Sequence, residues 1–138
     1  GENAHQSAEW YALANHADGL HRAEVLNGKE LSYNNLLDLD AAVKSVQHLN
    51  QSHFCGVIIK HTNPCAVAIS KSQTELMEKL FSCDPVSMFG GICAFNFKIE
   101  LSDAEKLSSV FLECIIAKDF SSEALKHLQA KKNLRILR

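Results

Sequence analysis

Long apolar runs, blocks of like charge, paired cysteines and proline are all scarce in this chain of 138 residues. No stretch approaches the roughly 18 apolar residues of a membrane span, so the sequence predicts none. No block of like charge exceeds Lys131-Lys132, and the formal net charge is −2. That leaves no electrostatic footprint for nucleic acid or for an anionic membrane surface. Internal repeats, low-complexity tracts and long linkers are absent too. The five cysteines stand at 55, 65, 83, 93 and 114 without a C-x-x-C pair. Cys55, Cys93 and Cys114 lie in apolar runs and read as small buried hydrophobes. This usage suits a reducing compartment and predicts a cytoplasmic protein. Gly1-Glu2-Asn3 is neither a signal peptide nor an initiating Met, which predicts a piece of a longer chain.

What is present suits one globular domain. Hydrophobic residues make up 46% and charged residues 22%, away from the disordered range. A domain of this length buries roughly two-thirds of its unfolded surface. Residues 1–30 show weak periodicity around Trp10, Tyr11 and Leu13, and Ala23-Glu24-Val25-Leu26 ends at the turn pair Asn27-Gly28. Two short strands or extended pieces are expected there. Leu36, Leu39, Val43, Val46 and Leu49 then repeat by three and four, which predicts a helix. Phe54–Ile59 predicts a buried strand. Ser72-Gln73-Thr74-Glu75 has capping-box spacing and opens a helix that Asp84-Pro85 stops. Phe89–Phe95 leads from a glycine pair into a strand. Ser102-Asp103-Ala104-Glu105 predicts a further capped helix, Cys114–Ala117 a strand, Ser121 a helix cap, and Leu134–Leu137 a last strand. Helices alternating with strands predict a mostly parallel sheet covered by helices.

The densest chemistry is Lys60-His61-Thr62-Asn63-Pro64-Cys65, just past the strand ending at Ile59. Pro64 lacks an N–H and restricts Asn63, so the chain is expected to turn there. Ligands of open α/β sheets gather beyond the carboxyl ends of strands. A His titrates near neutrality, and a neighbouring Lys stabilises negative charge or binds phosphate. The pair reads either as a proton-transfer couple or as a polar loop facing water. Phe89-Gly90-Gly91 reads as a close backbone approach to a ligand or as a plain turn. Glu113 interrupts the apolar run Val110–Ile116, and reads as a ligand-binding carboxylate or as an exposed helix end.

Several known signatures are missing. There is no G-x-G-x-x-G and no Walker motif, so a dinucleotide or P-loop site is unsupported. Pro64-Cys65 matches half of the P-C-x-x-C of zinc nucleobase deaminases, but the second cysteine position is Ala68, and no H-x-E follows His61 or His5. No catalytic zinc, and no metal at all, is expected. Cys65 has no base partner beyond His61 and is a weak candidate nucleophile.

Six stretches carry a resemblance over nearly the whole chain. They are Gly1–Gln6, Gly28–Asn35, Lys60–Cys65, Asp84–Gly91, Glu113–Ala117 and Lys131-Lys132-Asn133. Together, and in this order, they resemble the transformylase part of the AICAR transformylase/IMP cyclohydrolase family of purine biosynthesis. The resemblance implies a formyltransferase that moves a formyl group from the co-substrate 10-formyltetrahydrofolate to the 5-amino group of AICAR. It implies a three-layer α/β/α fold of the cytidine-deaminase-like kind, with a mostly parallel mixed sheet. Residues 1–138 would be the first of two related subdomains, with 1–30 an extended segment and 31–138 the α/β core.

The resemblance makes His61 the proton acceptor and Lys60 the residue that stabilises the transition state. Gly90 and Phe89 would meet the nucleotide through backbone atoms, Glu113 would bind it, and Asn63 would support the site. The family carries Arg-Tyr immediately before the position of Gly1, Pro at that of Ala4 and, in many bacterial members, Gly at that of Ala66. The second subdomain, which supplies further nucleotide and folate contacts, and the cyclohydrolase domain lie outside this sequence, and the full enzyme is a homodimer. The isolated chain is therefore expected to be inactive alone. The alternative is a non-catalytic nucleotide-binding or assembly module of the same fold.

Overall fold

Ser32 opens the first long helix. Its hydroxyl accepts from the Asn35 N–H at 3.2 Å, and the Asn35 carboxamide oxygen accepts from the Ser32 N–H at 3.0 Å. Two of the helix's orphan donors are thereby satisfied. The computed structural model describes residues 5–13 and 19–138. Helix α1 spans Tyr33–Gln47 and buries Asn35, Leu39, Ala42 and Val46. The predicted stripe is thus rotated slightly: Ala42 sits at the centre of the contact, while Leu36 and Val43 are half-buried.

Strand β2, Phe54–Lys60, is buried along its middle and pairs antiparallel with β3, Asn63–Ser70. The sequence reading did not foresee β3, because Pro64 near its start argues against a regular strand. The hairpin accommodates that proline on an edge strand, opposite Ile59, beside a register shift between Ile58 and Ile59.

Helix α2, Gln73–Cys83, starts at Ser72, whose hydroxyl accepts from the Glu75 N–H at 3.3 Å. The Glu75 carboxylate pairs with Lys79 and accepts from the Ser70 hydroxyl, and these bonds, Lys79 first, lower its pKa. Strand β4 is Gly91–Ile99 and helix α3 is Leu101–Ser108. The cap of α3 corrects the expectation of Ser102: the helix begins after Glu100. Buried Asp103 accepts from the Glu100 N–H at 2.9 Å and from the Gln73 side chain at 2.5 Å. The α2 contact fixes Asp103, and Asp103 fixes the start. Strand β5, Leu112–Phe120, helix α4, Ser122–Gln129, and strand β6, Arg135–Leu137, complete the chain. Ser121 caps α4 as expected, accepting from the Ala124 N–H at 3.2 Å.

Strand β1, Val25–Asn27, pairs antiparallel with β6, so the segment before residue 30 supplies one edge of the sheet. Among the described residues the sheet has six strands in the order β1-β6-β5-β4-β2-β3. Strands β4, β5 and β6 run parallel at its centre, and the flanking pairs are antiparallel. Helix α1 covers one face, packing Leu39, Ala42 and Val46 on Cys55, Val57, Ile59, Ala94 and Cys114. Helices α2, α3 and α4 cover the other, where Leu76, Leu80, Leu107 and Leu128 meet Ile58, Phe95, Ile115 and Ile136. The result is the three-layer α/β/α arrangement with a mixed sheet. Among the described residues, no helix is long and apolar enough to cross a membrane.

The cysteines sort by depth. Cys55, Cys93 and Cys114 are buried, Cys65 is half-buried and Cys83 is exposed. Burial pushes the Cys114 thiol up to about 12 and raises Cys93 and Cys65 as well. Since the thiolate is the reactive form, thiol titration with a disulfide reagent is expected to label Cys83 promptly and all five only after denaturation. Rapid labelling of Cys93 or Cys114 in the native chain would show that the sheet opens readily.

Candidate functional site

Lys60, His61, Thr62 and Asn63 form a two-residue hairpin turn between β2 and β3. Lys60 pairs with Asn63 across it, and His61 and Thr62 have φ of 53° and 62°. Consecutive positive φ values match the twist of a tight hairpin, although Asn and Gly are the usual occupants. The turn borders a cleft of about 930 Å³. His61 and Thr62 line it from the hairpin, Gly90 and Ile92 from the start of β4, Glu113 from β5 and Arg135 from β6. Ser32, Asn34, Asn35 and Asp38 close it from the first turns of α1.

The cleft's position departs from the expected carboxyl edge. It lies beyond the carboxyl end of β2, but at the amino ends of the three parallel strands. The cause is the direction of β2. Because β2 is antiparallel to β4, its last residues stand beside the first residues of β4, which in turn stand beside the first residues of β5.

The predicted residues divide into two groups. His61, Gly90 and Glu113 line the cleft. Lys60, Phe89 and Asn63 stand beside it and brace it. The Lys60 ammonium donates to the Phe89 carbonyl at 2.9 Å, tying the hairpin to the loop before β4. The exposed Phe89 ring packs on Phe111 with centroids 5.2 Å apart. The Asn63 side chain donates to the His61 carbonyl at 2.8 Å. Gly90 takes φ of 74°, which favours glycine, and its N–H donates to the Phe111 carbonyl at 2.7 Å. That N–H is occupied within the fold. Cys65 is also engaged in the fold, its thiol donating to the Ile58 carbonyl at 3.4 Å.

Two residues of the site escaped the sequence reading. Arg135 meets the Glu113 carboxylate at 2.8 Å and donates from Nε to the Glu30 carbonyl at 3.0 Å. Its side chain is only 12% exposed, against 39% for Glu113. Asp38 accepts from the Thr62 N–H at 2.7 Å and the His61 N–H at 3.3 Å. Each left a faint signal. Arg135 is the one cation of β6, and Glu113 interrupts the apolar run Val110–Ile116. Asn35 and Asp38 are polar residues at helical spacing along the edge of the apolar stripe, not on the opposite face.

Chemically, the cleft offers an imidazole, a carbonyl acceptor, an arginine-held carboxylate and the hydroxyl and amide side chains of α1. Among the described residues, no cluster of three or more His, Cys, Asp or Glu could hold a metal ion.

Comparison with known proteins places this cleft in context. The family model described as AICARFT/IMPCHase bienzyme matches residues 1–138. The bifunctional purine biosynthesis protein PurH of Prochlorococcus marinus (strain MIT 9211) is 47% identical over 146 aligned positions, covering all of this chain and 28% of that protein. PurH of Petrotoga mobilis is 48% identical over 138, covering all of this chain and 27% of that protein. The chain thus spans just over a quarter of these curated relatives. Among solved structures, a candidate formate dehydrogenase accessory protein from Desulfotalea psychrophila matches with a TM-score of 0.61 at 7% identity, covering 72% of this chain and 50% of that one. Acinetobacter baumannii RibD matches with a TM-score of 0.51 at 10% identity, covering 60% of this chain and 28% of that one. At such identities the likeness concerns the fold alone.

Proposed function

The chain belongs to the AICARFT/IMPCHase bienzyme family, and from that premise we propose that it carries the nucleotide-binding side of an AICAR formyltransferase site. The observation that carries the reading is the convergence of His61, Gly90 and Glu113, from three separate strand ends, on one cleft.

In this reading the 5-amino group of AICAR attacks the formyl carbon of 10-formyltetrahydrofolate. A C–N bond forms to the nucleotide, and the bond from the formyl carbon to N10 of the folate breaks. An aromatic amine is a weak nucleophile, so a base must take its proton during attack. His61 is that base, and N10 of the folate is protonated as it leaves. The tetrahedral intermediate carries negative charge on the former formyl oxygen and needs donors nearby. Lys60 commits one N–H to Phe89 and keeps two for that purpose. The Gly90 carbonyl accepts from the carboxamide or amine of AICAR, and the Glu113 carboxylate accepts from its hydroxyl groups. Asn63 steadies the turn. Folate contacts, and the partner copy of a homodimer, would come from parts of the protein beyond the matched quarter.

Calorimetric titration with AICAR tests this reading. The wild-type chain should bind. His61→Ala and Glu113→Gln should each weaken binding by about tenfold, the effect of losing one charge-assisted or well-placed hydrogen bond. The isolated chain should yield no formylated product. Undiminished affinity in both variants, or no binding at millimolar AICAR, would overturn the reading.

A further inference from the structure

His61 and Thr62 are non-glycine residues in consecutive left-handed conformations, and Thr62 is β-branched, the kind of residue least suited to positive φ. Such backbone persists only where its surroundings hold it. Here every backbone polar group of His61 is engaged. Its N–H is held by Asp38, and its carbonyl accepts from the Thr62 hydroxyl at 2.7 Å and the Asn63 side chain at 2.8 Å. The bonds to its carbonyl come from the turn itself. Among the described residues, the bonds to the two N–H groups of the turn come from Asp38, on another element. It sits on α1 next to fully buried Leu39, so its carboxylate is mounted on a helix fixed to the sheet. Its two oxygens meet the two N–H groups of the turn, one each.

We infer that Asp38 is a positioning residue: it pins the strained hairpin turn from α1 and so directs the His61 imidazole into the cleft. The inference rests on His61 being the proton acceptor, and it adds the device that aims it. Without the carboxylate the two N–H groups lose their acceptor, the turn relaxes toward ordinary backbone, and the imidazole leaves its place. Asparagine keeps one acceptor oxygen and therefore part of the pin.

The test pairs amide hydrogen exchange with AICAR titration on the wild-type chain, Asp38→Asn, Asp38→Ala, His61→Ala and the double variant Asp38→Ala/His61→Ala. Exchange at the His61 and Thr62 amides should quicken by about tenfold or more in Asp38→Ala, as expected for losing hydrogen bonds to a charged group. In Asp38→Asn one of the two amides should stay protected. AICAR affinity should fall about tenfold in Asp38→Ala. It should change by less than about twofold when the same substitution is added to His61→Ala, since a residue acting through another has no separate effect once that one is gone. A purely structural role would lower affinity in both backgrounds, and that result overturns the inference, as does unchanged amide exchange in Asp38→Ala. A wild-type chain that binds no AICAR, yet whose amides lose protection on removal of Asp38, would refute the nucleotide reading and uphold the pin.

Discussion

Arg135→Met is expected to lower the unfolding free energy by about 2 kcal/mol, between the small value of an exposed ion pair and the larger cost of stranding a fully buried charge. Two losses combine. The Glu113 carboxylate loses its partner at 2.8 Å, and the Glu30 carbonyl loses the Nε donor. The Glu113 side chain remains 39% exposed, so water reaches it and moderates the penalty. Methionine replaces the apolar stem of the arginine, so the measured change reports the guanidinium more than the packing. Denaturant unfolding with an unchanged m-value is the check. A change under about 0.5 kcal/mol would show that the pair behaves as an ordinary surface contact. The same variant frees the Glu113 carboxylate to swing, so AICAR affinity should drop with it.

A larger loss is expected from Gly28→Ala. Gly28 has φ of 104°, a conformation that L side chains rarely adopt, and a Cβ there would come within 2.5 Å of the Leu134 carbonyl oxygen and 2.7 Å of the Arg135 Cα. Both neighbours are backbone and cannot rotate away. Relief requires β1 to part from β6, which also breaks the 2.7 Å bond from the Asn27 side chain to the Leu134 carbonyl. Backbone strain together with lost strand pairing places the cost at about 3 kcal/mol or more. For a domain of this size that corresponds to a fall in Tm of about 10 °C. Thermal unfolding followed by circular dichroism measures it, and an unaltered Tm would mean that the β1 edge contributes nothing to stability.

The two glycine and arginine positions differ in how far the sequence announces them. Asn27-Gly28 is legible as a turn pair, because glycine there answers a local backbone demand. Ser72 and Ser121 are legible for the same reason: a cap is a bond between residues three apart. The cap of α3 is not, since Glu100 wins over Ser102 only through buried Asp103 and its contact with Gln73 on α2. Strand β3 was hidden by Pro64, whose tolerance depends on lying at a sheet edge beside a register shift. The placement of the cleft follows from strand direction, which neighbouring strands decide together. Within the site, His61 and Glu113 stand out because polar groups are conspicuous just past an apolar run or within one. Asp38 and Arg135 act on partners far along the chain, so local pattern marks the residues only faintly and does not name their partners.

The pairing of β1 with β6 has a kinetic side. Glu24 and Arg138 exchange backbone hydrogen bonds at 2.8 and 2.9 Å, and the Arg138 guanidinium also bridges the carboxylates of Glu24 and Asp119. The sheet edge therefore joins opposite ends of the described fold, and contacts of such sequence separation form slowly because a long loop must close first. During synthesis, residues 20–27 wait without a strand to pair with until β6 has left the ribosome. The central strands β2, β4 and β5 and helix α1 can assemble before that moment. The β1 edge is thus a late closure, which waits for Arg135–Leu137 and the Arg138 backbone to arrive.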